Sequence, residues 1–503
     1  MKKLICILSI LMSISCTSHK NYDKKEQIII SGKVLNFNPD NPNVHLSVNR
    51  LGFRSIQIIE HLDSLGNFRA SFYSYIPTDV WIYYKTNFLV LTYPGDSIYV
   101  EFDGKSDKRP ELLKSIKFSG NADKQNQNAA KFQLMYFSNP IYYDRDAKEK
   151  AAKELDTTEY VTYLDSMQTI RNNLFNQFIT EVKPDEETKI WAKAFLDKDY
   201  YDALSSYPYK HQRANKLKET EWSVPVTFYE PFKNRLPISE SLYISGYALS
   251  SFINRYHYNF VLVQVFEELK SIRSKTNIIS TEDSRRIFDS LYVYGIIKYT
   301  PDTLLKQMVL TELFSQNFDK SDIKLFENFK DVAESYIKRP FLKEPLFERY
   351  RKIKERLENP QVSPDAKLIK STDFSAKQIM SNIKDSNKGK VIYLDCWATW
   401  CIPCKSEMPN SIKLMKSMEG KDVAFVYLCL DSEEKIWKAS LAELKLGGEQ
   451  YFLNKKQSKD FRNTFKVYGI PHYFLIDKKG EIIEKGSNLR PNLVTEKINK
   501  LLN

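Results

Sequence analysis

Apolar positions alternate with polar ones in the chain from residue 28 to about residue 120. β-Branched and aromatic residues supply the apolar positions in segments such as 28–34 and 97–102, and turn-forming residues separate the segments, for example at 65–67 and 93–96. A period of two places alternate side chains on one face of a strand, and short segments between turns favour hairpins. The pattern therefore predicts an antiparallel, all-β domain over residues 28–120.

The period of the pattern changes in the next part of the chain. Tyr160, Leu164 and Leu174 fall on one face of a helix, and similar spacing elsewhere predicts a mostly α-helical region over residues 121–358. Aromatic residues at helical spacing usually form a core, and a binding cleft lined by the many Tyr and Phe residues is the alternative. Two prolines within residues 359–366 oppose both helix and strand, which predicts a linker.

Two cysteines lie where a predicted strand leads into a predicted helix. Residues 391–396 form an apolar run typical of a buried strand, and residues 405–415 have helical spacing. Cys401 therefore falls at a helix N-terminus, where free backbone N–H groups and the helix dipole stabilise a thiolate. Cys404 follows one turn later, close enough for a disulfide, and Pro403 suits the first turn. This geometry predicts a redox-active pair with Cys401 as the nucleophile.

A tetrahedral zinc site is the alternative for any Cys-x-x-Cys pair, and it requires two further Cys or His ligands at short spacing. None is evident in the sequence, so we predict no metal site. Cys396 and Cys429 each lie alone in an apolar strand pattern and are expected to be inert core thiols. Lys405 is the nearest certain positive charge to the pair, and we expect it to be solvated and to have little effect.

The start of the chain has the organisation of an export signal. A basic start precedes an apolar core too short to span a bilayer, which predicts a signal peptide over residues 1–15. The Ser-Ile-Ser-Cys sequence ending at Cys16 resembles the lipobox of bacterial lipoproteins. The resemblance implies lipidation of Cys16, a polar tether over residues 16–27 and a lipid-anchored, periplasm-facing location in the bacterial cell envelope. Ser13 departs from the usual leucine, so a plain signal peptide cut near Ser15 is the alternative.

Composition and charge exclude two further classes of protein, nucleic-acid-binding proteins and disulfide-stabilised scaffolds. The net charge of +12 and the pI near 9.0 suit nucleic-acid binding, but the basic residues are dispersed among 63 acids, without basic clusters interleaved with aromatic residues. We therefore predict no nucleic-acid partner. If Cys6 leaves with the signal and Cys16 is acylated, four cysteines remain, all in the C-terminal part. The chain is therefore no disulfide-stabilised scaffold, and a hydrophobic content of 42% supplies ordinary cores.

Several motifs of the C-terminal part occur together and in order. They are Trp-Cys-x-Pro-Cys at 400–404, Glu-Met-Pro at 407–409, Tyr-Gly-Ile-Pro at 468–471 and Phe-Leu-Ile-Asp-x-x-Gly at 474–480. With them, residues 367–503 resemble the thioredoxin fold, an α/β fold, and in particular its TlpA- and ResA-like branch of thiol-disulfide oxidoreductases. The β domain resembles the uncharacterised β domain that precedes thioredoxin-like modules in many exported bacterial lipoproteins.

The resemblance assigns chemical roles to three residues. It implies that Cys401 attacks a substrate disulfide and that Cys404 resolves the mixed disulfide. It also implies that Asp395 is a buried acid with a raised pKa that takes the proton of Cys404. The alternative for Asp395 is a structural role, in which the carboxylate caps or hydrogen-bonds the end of a strand.

The resemblance also places a substrate groove. It implies a cis peptide bond before Pro471 and a groove for an extended peptide formed by Trp400, Pro403, Ile470 and Pro471. Pro409 is expected to kink the helix that Cys401 opens.

Two further residues are candidates for the site. Glu407 matches an acidic position common in this branch, although an exposed glutamate on a helix is more often simply solvated. His472 follows the proline where thioredoxins usually have threonine, so either it titrates near the pair or it is an ordinary strand residue.

Two function classes remain. The favoured one is an envelope thiol-disulfide oxidoreductase that reduces a protein disulfide or mixed-disulfide substrate. It requires no cofactor beyond the Cys401–Cys404 disulfide, and it accommodates an upstream membrane electron donor. The alternative is an envelope ligand-binding lipoprotein whose thioredoxin-like module is accessory. A peroxidase of the peroxiredoxin type is disfavoured, because it requires a threonine three residues before the reactive cysteine and Thr399 stands two before Cys401.

Overall fold

The N-terminal region consists of two β-sheets that share one apolar core. The computed structural model describes residues 22–218, 220–234, 238–275, 281–371 and 373–502. The strands described in this region are β1 (Glu26–Leu35), β2 (Asn43–Val48), β3 (Ile56–His61), β4 (Asn67–Ser74), β5 (Thr78–Tyr83), β6 (Asn87–Thr92), β7 (Ser97–Asp103) and β8 (Lys117–Gly120). Their order is β4-β1-β7-β8 in one sheet and β3-β2-β5-β6 in the other.

One strand pair departs from the antiparallel prediction. β1 pairs with β7 in parallel, with Ile30 opposite Ile98, whereas the other pairs of the two sheets are antiparallel. A parallel pair requires a crossover connection. Strands β2, β3, β5 and β6 supply it, because they form the second sheet before the chain returns beside β1. Alternation along a sequence predicts strands but not their direction, so the prediction was wrong for this pair.

Helices dominate the middle of the chain, as predicted. They are α1 (Arg109–Ser115), which precedes β8, and then α2 (Asp123–Ser138), α3 (Arg145–Glu154), α4 (Thr157–Val182), α5 (Glu186–Asn215), α6 (Pro231–Asn234), α7 (Gly246–Arg255), α8 (Leu262–Lys275), α9 (Thr281–Tyr299), α10 (Thr303–Asp319), α11 (Lys324–Asn328), α12 (Lys330–Tyr336) and α13 (Pro340–Glu358). Tyr160, Leu164 and Leu174 on α4 are buried together with most of the aromatic side chains. Among the described helices, none has the length and apolar character needed to cross a membrane.

Some predicted segments lie outside the described residues or between the described elements. The predicted signal peptide and Cys16 lie outside the described residues. The predicted tether over 16–27 is described only in its last part, where β1 already begins at Glu26. The predicted linker over 359–366 occupies the connection between α13 and the next strand, which begins at Ala366.

A six-stranded sheet with helices on both faces forms the C-terminal domain. Its elements are β9 (Ala366–Ile369), α14 (Ala376–Ser386), β10 (Val391–Trp397), α15 (Ile402–Ser417), β11 (Val423–Cys429), α16 (Glu434–Leu444), β12 (Gly448–Phe452), α17 (Lys455–Phe465), β13 (His472–Ile476), β14 (Ile482–Gly486) and α18 (Thr495–Leu502). The strand order is β14-β13-β10-β11-β12-β9. All residues of β10 are buried, because apolar clusters cover both faces of the sheet.

A buried acid joins the N-terminal sheets to the helices. Asp79 on β5 accepts hydrogen bonds from Asn49 Nδ2 at 2.9 Å, from Trp191 Nε1 on α5 at 3.0 Å and from the backbone N–H of Tyr247 on α7 at 2.7 Å. Burial raises the pKa of Asp79 to about 7, and these donors oppose that shift only in part. The acid therefore fixes the position of β5 against two helices.

The C-terminal domain packs against the helical region mainly through α16. Ile436 and Ala439 lie against the apolar core of the helical region. Two ion pairs flank this contact, with Arg356 Nη2 3.2 Å from Glu443 and Lys324 Nζ 2.9 Å from Glu433. Because partly exposed ion pairs contribute little, the buried apolar surface supplies most of the stabilisation of this interface.

We predict that the Asp79→Asn substitution flattens the dependence of stability on pH. Between its ordinary pKa of 3.8 and its folded pKa of about 7, Asp79 holds a proton in the folded protein and loses it in the unfolded chain. The contribution of Asp79 to the free energy of unfolding should therefore fall as the pH rises, by at most about 1.4 kcal/mol per pH unit. Urea unfolding across this range measures the slope.

A matched control is Asp40→Asn, which changes an exposed carboxylate on a turn and should keep the wild-type slope. The role given to Asp79 would be wrong if the wild type and Asp79→Asn lost stability in parallel over this range.

Candidate active site

The loop between β10 and α15 carries the cysteine pair, and hydrogen bonds fix its shape. The backbone N–H of Thr399 donates to Ser432 Oγ at 3.1 Å, and Trp400 Nε1 donates to the carbonyl oxygen of Asp431 at 2.7 Å. Both acceptors lie in the loop that follows β11. Because β10 and β11 are adjacent parallel strands, their C-terminal ends meet at one edge of the sheet, and the two loops support each other.

Cys401 and Cys404 form a disulfide at the N-terminus of α15. Their Cα atoms are 5.3 Å apart, and Cys401 occupies the N-cap position. Cys401 Sγ accepts a hydrogen bond from the backbone N–H of Cys404 at 3.2 Å. The side chains are only 3% and 1% exposed, respectively. The predicted position at a strand-to-helix junction is therefore confirmed, and Cys401 Sγ faces the free amide groups of the helix.

The proline loop lies beside the pair. The Ile470–Pro471 peptide bond is cis, as the resemblance implied. His472, the next residue, pairs with Cys396 near the end of β10, so the loop continues alongside the start of the active-site loop. Ile470 packs against the apolar cluster that contains both Cys401 and Cys404.

Exposed aromatic side chains occur in both segments, close in sequence to the cysteine pair and to the cis proline. Trp400, directly before Cys401, is 43% exposed, and Tyr468, three residues before Pro471, is 87% exposed. The predicted groove did not include Tyr468, which entered the prediction only as part of the Tyr-Gly-Ile-Pro motif. Its position directly before the Gly-Ile-Pro sequence was the signal that could have identified it.

Asp395 is buried beneath the active-site helix. Neither of its carboxyl oxygens has a hydrogen-bond partner within the described structure, which disfavours the alternative of a strand cap or a hydrogen-bonded strand end. Burial raises the pKa of Asp395 well above its usual range, and the negative charge of Glu407 raises it further. The expected buried acid with a raised pKa is therefore present.

Glu407 is buried rather than solvated. It lies on the face of α15 that also buries Cys404 and Ser411, because these residues recur at helical spacing. Arg490 Nη1 donates to its Oε1 at 2.5 Å, and Asn410 Nδ2 donates to Oε2 at 3.2 Å. Arg490 follows the last strand of the domain, far away in the sequence, so no local pattern announced this ion pair. Pro409, two residues after Glu407, also lies within α15.

Lys405 contradicts the expectation that it is solvated. Its side chain is largely buried against the helical region, where Nζ donates to the carbonyl oxygen of Asp319 at 3.2 Å and lies 3.6 Å from a carboxylate oxygen of Glu443. Burial lowers the pKa of Lys405, and Glu443 opposes this shift. Arg349 on α13 donates to Asp319 Oδ1 at 2.5 Å, which fixes the end of α10 beside the residue that follows the cysteine motif.

His472 is partly buried, and its ring lies 5.2 Å from the ring of Phe474. Burial lowers its pKa, and the charge of Lys485 lowers it further, so the imidazole is neutral at pH 7. Its Nε2 atom is buried without a hydrogen-bond partner in the described structure. The environment therefore favours a strand residue over a group that titrates at neutral pH.

Cys396 and Cys429 are free, buried thiols, as expected. Burial raises the pKa of Cys396 well above its ordinary value and that of Cys429 to about 12. Both are therefore protonated and unreactive at neutral pH. Within the described residues, no cluster of three or more His, Cys, Asp or Glu side chains is arranged to hold a metal ion.

Comparisons with known proteins agree with this geometry. A family model described as thioredoxin-like matches residues 389–482. The ResA thiol-disulfide oxidoreductase of Bacillus cereus is 32% identical over 128 residues, which are 25% of this chain and 70% of that protein. The thioredoxin-like protein YneN of Bacillus subtilis is 31% identical over 143 residues, 27% of this chain and 76% of that protein.

A solved structure also matches this part of the chain. The thioredoxin domain of a thiol-disulfide oxidoreductase from Bacteroides vulgatus is 28% identical, and the match covers 24% of this chain and 84% of that domain, with a TM-score of 0.23. These matches concern the C-terminal quarter of the chain. Through its C-terminal domain, the chain belongs to the thioredoxin-like family that contains the ResA thiol-disulfide oxidoreductases.

Proposed function

We propose that this protein is an exported thiol-disulfide oxidoreductase that reduces protein disulfides in the bacterial cell envelope. The observation that carries the proposal is the Cys401–Cys404 disulfide at the N-terminus of α15. A dithiol in this position alternates between two states without rearrangement of the backbone. The relatives named ResA support the reaction class. The protein substrate and the location in the cell envelope are part of the proposal alone.

Reduction proceeds by two thiol–disulfide exchanges. The Cys401 thiolate attacks one sulfur of the substrate disulfide, the substrate S–S bond breaks, and the other substrate sulfur leaves as a thiolate. Cys404 then loses its proton and attacks Cys401 Sγ, which breaks the mixed disulfide and releases the second substrate sulfur. Two electrons pass from the dithiol to the substrate, and the Cys401–Cys404 disulfide remains. An upstream membrane electron donor restores the dithiol, and no further cofactor takes part.

Asp395 accepts the proton that Cys404 loses. Its carboxyl group has no competing hydrogen bond in the described structure, and its raised pKa brings it closer to that of a thiol than an ordinary aspartate. Proton transfer is efficient between groups of similar pKa. The nearby Glu407 is paired with Arg490 and is not the proton acceptor, whereas its negative charge raises the pKa of Asp395.

The substrate lies across the two loops as an extended peptide. Trp400 and Pro403 border the groove on the side of α15, and Ile470 and Pro471 border it on the side of β13. We infer that the exposed ring of Tyr468, three residues before Pro471, extends this surface. Exposed aromatic side chains bury large areas at a small cost in conformational entropy, which suits a groove that accepts many peptide sequences.

The charges beside the pair support the reducing direction. A strongly oxidising dithiol needs a deeply stabilised thiolate. Lys405, the cation nearest to the pair in sequence, is already engaged by Glu443 and by the carbonyl oxygen of Asp319. The helix dipole is the remaining source of stabilisation, and it lowers a thiol pKa to a moderate extent.

We predict that Cys401→Ser reduces the activity toward a model protein disulfide to the uncatalysed rate. Cys404→Ser should instead accumulate a covalent mixed disulfide with the substrate, because the resolving thiol is absent. A non-reducing gel detects the adduct. Cys429→Ala, which removes a buried and unreactive thiol, is the control and should retain turnover. Greater sensitivity of Cys404 than Cys401 to alkylation at neutral pH would reverse the two assignments.

We predict that Asp395→Asn slows resolution of the mixed disulfide by about 10²-fold. The carboxylate form of Asp395 is populated only as the pH rises through its raised pKa, so the wild-type rate should rise over that range. The variant should keep only the rise that Cys404 itself causes. Rapid quenching with acid at a series of pH values measures this step.

Asp422→Asn alters an exposed acid of the same domain and is the control, with an expected wild-type profile. Identical pH profiles for the wild type and Asp395→Asn would exclude Asp395 as the proton acceptor.

The final prediction concerns the anchor. Cys16→Ala should move the protein from the membrane fraction to soluble or unprocessed material, because the lipid would be its only attachment. Cys6→Ala, within the apolar core of the signal, should leave the fractionation unchanged. Labelled palmitate should enter the wild type but not Cys16→Ala. Absence of label from the wild type, together with unchanged fractionation of Cys16→Ala, would contradict the lipoprotein assignment.

A further inference from the structure

A second site is present where the N-terminal sheets meet the helices. A cavity of about 440 Å³ lies between β5 and β6 on one side and α1, α2, α5 and α7 on the other. Its size is that of a typical small-molecule site. All of its lining residues come from the N-terminal and helical regions, so the cavity is separate from the cysteine pair.

Arg109 supplies an unpaired positive charge to this cavity. Its guanidinium carbon lies 4.0 Å from the ring centre of Phe137 and 5.8 Å from that of Trp81. Nε is buried without a hydrogen-bond partner, and no described carboxylate forms an ion pair with the group. Burial lowers the pKa of Arg109, which reflects the cost of holding this charge away from water. A ligand oxyanion would provide the missing partner.

Asn87 supplies an unpaired acceptor in the same cavity. Its Oδ1 atom is buried and lacks a donor within the described structure. Buried polar atoms without partners are uncommon in folded proteins. A donor and an acceptor without partners in one cavity define a complementary ligand, which carries an oxyanion and also a hydrogen-bond donor.

The other charges of the cavity are paired and leave the charge of Arg109 uncompensated. Its single carboxylate, that of Asp199, accepts a hydrogen bond from the Tyr136 hydroxyl and lies 3.8 Å from Arg171 and 4.0 Å from Lys148. Lys198 also lines the cavity and pairs with Asp202 at 2.6 Å. The one acid is therefore already engaged, and the lining has an excess of positive charge.

Aromatic faces determine the shape of the ligand. Trp81 and Tyr247 meet edge to face at 5.1 Å, and the backbone of Tyr247 is fixed by its hydrogen bond to Asp79. Such rigid faces pack against a planar ring or against the C–H face of a sugar. We propose that this cavity binds a small ring-bearing carboxylic acid, with its carboxylate on Arg109 and a donor on Asn87.

Calorimetric titration of the purified full-length protein with 4-hydroxybenzoate and with glucuronate tests the site, with 4-hydroxybenzyl alcohol and glucose as uncharged counterparts. At least one acid should bind at least about tenfold more tightly than its counterpart, because the charged hydrogen bond to Arg109 is lost without the carboxylate. Arg109→Gln should weaken that binding by a similar factor. Arg145→Gln removes an exposed arginine on α3 and should bind like the wild type.

Asn87→Leu provides an independent test, since it nearly keeps the shape of the side chain and removes the acceptor for the ligand's hydrogen-bond donor. It should also weaken binding of the acid, and circular dichroism establishes that each variant is folded. The proposal is overturned if neither acid binds, if the uncharged compounds bind equally well, or if a folded Arg109→Gln or Asn87→Leu variant binds like the wild type.

Discussion

The free backbone amides at the N-terminus of α15 are the interaction on which the chemistry of this protein depends. One of them, the N–H of Cys404, donates directly to Cys401 Sγ. Partial positive charge at a helix N-terminus stabilises the thiolate form of the sulfur that it faces. This arrangement requires a strand that is fixed on both sides, and β10 provides it because it is buried between β11 and β13. The cysteines are therefore positioned by the core of the sheet rather than by a mobile loop.

The helical region contacts the first turn of α15 through Lys405. Lys405 follows Cys404 directly and donates to the end of α10, where Asp319 is held by Arg349 of α13. The same carboxylate lies 3.5 Å from Arg54, which belongs to the N-terminal β region. The first turn of the active-site helix thus rests on the helical region, and the charge of Lys405 is compensated there. The helical region therefore compensates the charge of the cation that directly follows the cysteine pair.

Local patterns predicted the elements and the chemistry that depend on neighbouring residues. The apolar run of β10 and the helix after Cys401 follow from local spacing, whereas the buried setting of Asp395 was implied by the resemblance to the thioredoxin-like family. Sequence patterns did not reveal the contacts between distant segments. The parallel pairing of β1 with β7, the ion pair between Glu407 and Arg490 and the burial of Lys405 all depend on chain topology. The cavity around Arg109 likewise combines strands and helices that no single segment indicates.

The reduction potential of the Cys401–Cys404 pair tests the central claim most directly. Equilibrating the protein with glutathione mixtures and alkylating the free thiols gives the potential, and the pH dependence of alkylation gives the pKa of Cys401. With the helix dipole as the main source of thiolate stabilisation, we expect a potential nearer to about −270 mV, as in thioredoxin, than to about −120 mV. A pair that stays reduced in strongly oxidising mixtures, with a Cys401 pKa below about 5, would show that the protein is an oxidant and would contradict the proposed direction of electron flow.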